Sequence, residues 1–148
     1  MLLRLIILAA ILLALLPAVP DAAGQNDPST RPATAPSGKA PSGKVTMEQF
    51  DRMRSEKDVV VLDVRTAREF GEGHVAGAVN LSVAGVPLKQ FDEQVGKLDK
   101  DKTYLVHCAR GVRSAAAVSR MQKLGFKHLL DYSGGMDEWR KAGKPLEK

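Results

Sequence analysis

From Val45 onward, apolar and polar positions fall into blocks that predict helices and strands in regular succession. Thr46 and Gln49 stand at N-cap and N3 spacing, with Val45 and Phe50 flanking them as a hydrophobic staple. A helix should open there and run to about Glu56. Asp58 then turns the chain into a continuous β-branched run at 59–64, the pattern of a strand buried on both faces of a parallel sheet. Thr66 and Glu69 repeat the capping-box spacing and start a short helix that Gly71 and Gly73 should end. A short strand is expected at 78–81. Pro87 fits the first position of a helix whose apolar residues are Leu88, Phe91, Val95 and Leu98.

A further strand at 103–107 ends at Cys108, and an alanine-rich helix at 114–124 is closed by Gly125. Leu129 and Leu130 mark a last strand, and Gly134 and Gly135 turn into a terminal helix that holds Trp139. Strands alternating with helices in this way imply an α/β domain over 45–148, built on a doubly wound parallel sheet. Sites in such sheets form outside the carboxyl ends of the strands, where Cys108 falls.

Upstream the pattern changes twice. Residues 1–24 carry Arg4, then an unbroken apolar run of 12 residues from Leu5 to Leu16, then Pro17 and Pro20 and the small residues Ala22, Ala23 and Gly24. A membrane-crossing helix needs about 20 apolar residues, so this segment reads as an export signal, with an uncleaved anchor as the alternative. The domain is expected outside the cytoplasmic membrane, in the periplasm or secreted, with no stable membrane span once the signal is cleaved. Residues 25–44 contain a tandem Ala-Pro-Ser-Gly-Lys repeat at 35–39 and 40–44 and almost no bulky apolar side chain. Ordering them would cost backbone entropy with no burial to offset it, so they read as a flexible linker.

Composition and charge mostly exclude functions. Between 44 and 148 there are 19 Lys and Arg against 15 Asp and Glu, a net charge of +4, interspersed apart from Arg110 and Arg113. No basic stripe interleaved with aromatic residues is present, so nucleic acid is not an expected partner. The single cysteine rules out an intramolecular disulfide, and the three histidines, His74, His107 and His128, lack ligand spacing. Neither a metal site nor a cofactor is expected, and the domain is expected to be a monomer.

The candidate chemistry lies at 106–114, Val-His-Cys-Ala-Arg-Gly-Val-Arg-Ser. A strand delivers Cys108, a tight loop follows, and a helix begins at about Ser114. Backbone N–H groups of a loop that curls into a helix N-terminus converge on an anion-binding concavity. A thiol at its centre should be acidified by those dipoles and by Arg110 and Arg113. Gly111 supplies the positive φ that keeps the backbone close to the sulfur. Arg113 is placed to bind an anionic donor through paired N–H bonds, and Arg110 to draw it in. His107, adjacent on the strand, should face away from the sulfur and make a supporting hydrogen bond.

Three blocks resemble the rhodanese family from about Val45 to the C-terminus: VLDVRTAREFGEGHVAGAVNL at 61–81, HCARGVRS at 107–114 and YSGGMDEWRKAGKP at 132–145. The resemblance implies a rhodanese-like sheet flanked by helices. It also implies sulfur transfer from a small anionic donor such as thiosulfate, through a persulfide on Cys108, to cyanide or a thiol. Ala109, Arg110, Gly111, Val112, Arg113 and Ser114 would then form the substrate-binding loop. Asp63 and Arg65 would support it, with Asp63 orienting Arg110 and Arg113 or balancing their charge. For Arg65, Glu69 and His74 a structural salt bridge or hydrogen bond outweighs direct catalysis, and Trp139, Gly134 and Gly135 read as packing and turn residues.

Two other classes compete. A cysteine phosphatase or arsenate reductase related to this fold would need a Cys-x5-Arg loop, whereas only four residues separate Cys108 from Arg113. A non-catalytic binding or sulfur-carrier module of the same fold is the other alternative. Binding modules of this kind commonly lose the cysteine, and this chain retains it.

Overall fold

The computed structural model describes residues 42–148. The export segment and most of the linker lie outside the described residues. In chain order the elements are β1 (Gly43–Lys44), α1 (Met47–Met53), β2 (Val59–Asp63), α2 (Ala67–Gly71), β3 (Val79–Asn80), α3 (Leu88–Val95), β4 (Thr103–His107), α4 (Val112–Lys123), β5 (Leu129–Tyr132) and α5 (Gly135–Lys141). All strand pairs are parallel, and the sheet order is β1-β5-β4-β2-β3.

Both capping boxes form. Thr46 and Gln49 close the start of α1, and Thr66 and Glu69 that of α2. The strand residues alternate between two cores. Leu62, Val64, Tyr104, Val106, Cys108 and Leu129 pack with Phe91 and Val95 of α3 and Ala117 and Met121 of α4. Val61, Leu105, Leu130 and Tyr132 pack on the other face with Phe50 of α1 and Met136 and Trp139 of α5. This two-sided burial explains why β2 and β4 read as continuous apolar runs.

The topology fixes where a site can form. From β2 the chain steps outward to β3, and from β4 it winds the other way to β5, so the direction reverses between β2 and β4. A crevice opens at such a reversal, outside the carboxyl ends of the two strands. Asp63 and His107 are register partners at those ends, and Cys108 is the next residue.

Several boundaries differ from the sequence reading. The linker does not extend to Lys44. Gly43 and Lys44 pair with Leu130 and Asp131 as the sheet's edge strand, and the Ser42 hydroxyl donates to the Lys127 carbonyl at 2.8 Å. Backbone hydrogen bonds hold this edge, so its side chains carry no apolar signature. Helix α1 stops at Met53, and Pro87 is the N-cap of α3 rather than its first helical residue. Helix α4 begins at Val112, two residues earlier than expected, because the left-handed Gly111 completes the turn sooner.

Candidate active site

Cys108 leaves the end of β4 and is 2% exposed. The Gly111 N–H donates to its Sγ at 3.1 Å. Gly111 has φ +85°, and a Cβ there would stand 2.6 Å from the Ser133 carbonyl oxygen. Glycine is therefore required both by the backbone conformation and by the space available. The Ser114 hydroxyl is buried and donates back to the Gly111 carbonyl at 3.0 Å, which ties the loop to the first turn of α4.

The loop carbonyls are turned away from the sulfur and held there. The Cys108 carbonyl accepts from the Met136 N–H at 2.9 Å, and the Ala109 carbonyl from the Asp137 N–H at 3.1 Å. These donors belong to the first turn of α5. In a trans peptide the C=O and the following N–H point in opposite directions. Anchoring the Ala109 carbonyl on α5 therefore aims the Arg110 N–H back toward the sulfur. Gly135 permits the approach, since a Cβ there would lie 2.4 Å from the Cys108 carbonyl oxygen, and its φ is +60°. Gly135, read from the sequence with Gly134 as a turn residue, thus docks α5 against the loop, while Gly134 lies against Glu138 and Tyr132.

Burial alone would push the Cys108 thiol up. The amides of Ser114, Arg110 and Arg113 outweigh it, and the thiol lies below its ordinary value. The thiolate is the nucleophilic form, so the arrangement raises the reactive fraction near neutral pH.

The charged residues pair differently from the sequence reading. Asp63 does not balance Arg110 and Arg113. Its carboxylate is taken by Arg65, with Nε 3.0 Å from Oδ1 and Nη2 2.6 Å from Oδ2, both side chains being buried. Arg65 Nη2 also donates to the Gly73 carbonyl at 2.9 Å. A carboxylate out of water needs a partner with several donors, and Arg65, two residues on, reaches it directly. Asn80 bridges the carbonyls of Asp63 and Arg65, so this knot fixes the end of β2 beside the loop.

Arg113 is held by Glu69, with Nη1 2.7 Å from Oε2 and Nη2 2.8 Å from Oε1. Hydrogen bonding to Arg113 drives the Glu69 carboxyl well below the usual carboxylate range, and Glu69 in turn raises Arg113. Arg110 is 82% exposed and its Nε lies 3.7 Å from Asp137 Oδ2. Val112 is 80% exposed at the rim.

His107 faces away from the sulfur as expected, edge-on to Phe50 with ring centroids 5.6 Å apart. The supporting hydrogen bond is not found: among the described residues neither buried ring nitrogen has one, and Nε2 is 3.9 Å from Asp63 Oδ2. Burial lowers its pKa, which keeps the ring neutral. His74 stacks on Phe70 and its Nδ1 lies 3.1 Å from the Phe70 carbonyl, a structural placement. Trp139 is buried and donates to the Pro145 carbonyl at 3.0 Å. Among the described residues there is no cluster of three or more metal-ligating side chains, and no helix is long and apolar enough to cross a membrane.

Fold and loop together define a class: an α/β domain presenting one acidified cysteine at the reversal of its sheet, inside a cradle of backbone amides. The chain belongs to the rhodanese-like domain family, whose model matches residues 46–142. The thiosulfate sulfurtransferase GlpE of Coxiella burnetii is 34% identical over 85 residues, covering 57% of this chain and 75% of its own. A sulfurtransferase of Allochromatium vinosum is 26% identical over 95 residues, covering 64% and 84%. The crystal structure of a rhodanese-related protein from Thermoplasma volcanium matches with TM-score 0.59 and 33% identity, over 70% of this chain and 96% of that one. Sulfur transfer is the chemistry that this membership supports.

Proposed function

We propose that this protein moves a sulfane sulfur from thiosulfate or a similar anionic donor to a thiophilic acceptor, through a persulfide on Cys108. The observation that carries the reading is the Gly111 N–H aimed at Sγ from a loop that leads into the N-terminus of α4. In the first half-reaction the Cys108 thiolate attacks the outer sulfur of thiosulfate. A new S–S bond forms, the old one breaks, and its electron pair leaves with sulfite. The persulfide carries its negative charge one atom further out, where the same amides and the positive end of α4 stabilise it. In the second half-reaction cyanide or a thiolate attacks the terminal sulfur, and the Cys108 thiolate is released. A preformed thiolate needs no general base for either step, which agrees with the placement of His107 on the opposite face.

The N-terminal segment makes export part of the same proposal, with the domain acting outside the cytoplasmic membrane. The spacing of Cys108 and Arg113 supports sulfur chemistry over phosphoryl transfer, whose three equatorial oxygens need a wider donor array.

The test supplies the purified protein with thiosulfate and cyanide and follows thiocyanate, beside a Cys108→Ser control. Intact mass is measured after thiosulfate alone. The expected result is turnover that the serine variant lacks, and one added sulfur atom on the wild type. A stable added sulfur without turnover would make the protein a carrier that awaits its own acceptor. Neither turnover nor added sulfur would overturn the thiosulfate reading and favour a binding module.

A further inference from the structure

We propose that Glu69 is a positioning residue for the chemistry at Cys108: by gripping Arg113 with both carboxylate oxygens, it fixes the guanidinium at the loop and cancels its charge. The sulfur and the incoming donor then answer chiefly to the backbone amides. This rests on the reading of Cys108 as a reactive thiolate.

A capping box requires only an acceptor at N3, and the two boxes of this chain fill that position differently. At α1 the box is closed by a neutral amide, Gln49 Oε1 accepting from the Thr46 N–H at 2.9 Å. At α2 Glu69 Oε2 does the same for Thr66 at 3.0 Å. Capping accepts Glu and Gln alike. The cap itself does not require a negative charge at position 69, though the first turn of α2 favours one, and the structure shows where else that charge is used: on Nη1 and Nη2 of Arg113. Such a fork-to-fork contact orients a guanidinium as well as neutralising it.

The other charges around the sulfur are also offset. Arg110 faces Asp137, Arg65 is committed to Asp63, and His107 lies on the far face of the sheet, uncharged. Both loop arginines thus stand opposite carboxylates, and side chains add little net positive potential. Such a site distinguishes weakly between doubly charged donors such as thiosulfate and singly charged ones such as an organic persulfide.

Cys108 is the only cysteine in the chain, so alkylation reports on it alone. The experiment measures iodoacetamide alkylation against pH for wild type, Glu69→Gln and Glu69→Asp, which gives the thiol pKa. It also measures the ratio of iodoacetate to iodoacetamide rates at low salt, which reads the charge an anion meets. Glutamine keeps the cap, so Glu69→Gln should melt within a few degrees of wild type. Its thiol pKa should fall by about half a unit, and its rate ratio should rise about threefold, as expected for one uncancelled charge several ångströms away. Glu69→Asp keeps the charge and should stay near wild type on both readouts. The proposal is overturned if Glu69→Gln leaves both readouts unchanged, or if Glu69→Asp moves as far as Glu69→Gln. Neither readout requires sulfur transfer, so a protein that fails with thiosulfate would refute the proposed function and leave this test intact.

Discussion

Replacing Gly111 with alanine tests the loop at its tightest point. The residue has φ +85°, a conformation that costs an L-residue about 1–2 kcal/mol. The new methyl would also stand 2.6 Å from the Ser133 carbonyl oxygen and 3.0 Å from Ser133 Cα, both backbone atoms that cannot rotate away. Relieving an overlap of that kind by shifting packed backbone costs roughly another 1–3 kcal/mol. We therefore expect Gly111→Ala to lose about 2–5 kcal/mol of stability, which for a domain of this size lowers Tm by about 10–30 °C.

The same shift moves the Gly111 N–H off Sγ. A hydrogen bond to a charged group contributes about 1.5–3 kcal/mol, and about 1.4 kcal/mol is one pKa unit, so the thiol pKa should rise by about one to two units. Chemical denaturation reads the first quantity, and the pH dependence of iodoacetamide alkylation reads the second. A Gly111→Ala protein within about 0.5 kcal/mol of wild type, with its thiol pKa unmoved, would refute both the steric and the electrostatic role assigned to Gly111.

Three further outcomes are expected. Gly135→Ala, which never touches the sulfur, should destabilise the protein and raise the thiol pKa, because its Cβ would meet the Cys108 carbonyl oxygen at 2.4 Å; denaturation and alkylation again measure both. Arg65→Leu leaves the buried Asp63 carboxylate without its partner and should cost about 3–5 kcal/mol in urea unfolding. Acidification should weaken the domain through Glu69: its folded pKa is depressed, so its contribution is complete above the ordinary carboxyl value of 4.5 and is lost as pH falls below it. Glu69→Gln should show a shallower loss of Tm over the same acid range.

The sequence was most legible where a local rule decides the outcome. Thr46 with Gln49 and Thr66 with Glu69 announced two helix starts that formed with their boxes complete. The runs at 59–64 and 103–107 announced strands buried on both faces, because β-branched and apolar residues without alternation suit a sheet covered on both sides. Partnerships between side chains were harder to see. The resemblance puts Asp63 beside Arg110 and Arg113, yet Arg65 reaches it from two residues away. Glu69 reads as a capping residue with a structural salt bridge or hydrogen bond, but the sequence does not name its partner, because the grip on Arg113 joins α2 to α4 across the fold. The contrast that exposes it, Gln49 in the same position of α1, was present in the sequence throughout. Edge strand β1 left no trace because a two-residue strand of Gly and Lys is held through its backbone.

The cysteine loop and the glycine pair at 134–135 are best understood as two halves of one device. A loop that presents N–H groups to an anion must direct its carbonyls elsewhere, and a buried carbonyl without a donor is costly. Helix N-termini carry the opposite deficit, N–H groups with no acceptor. In this domain the two are matched: the first turn of α5 receives the carbonyls of Cys108 and Ala109, and α4 turns its own N-terminus toward the sulfur. The Ser114 hydroxyl and the Ala115 N–H take the Gly111 carbonyl, at 3.0 Å each. The anchored Ala109 carbonyl fixes the direction of the Arg110 amide that follows it, and the hold on the Gly111 carbonyl ties the loop to α4, so the backbone of the cradle is held without the arginine side chains. This division of labour leaves Arg113 free to serve as a charge adjusted by Glu69, rather than as the scaffold of the site.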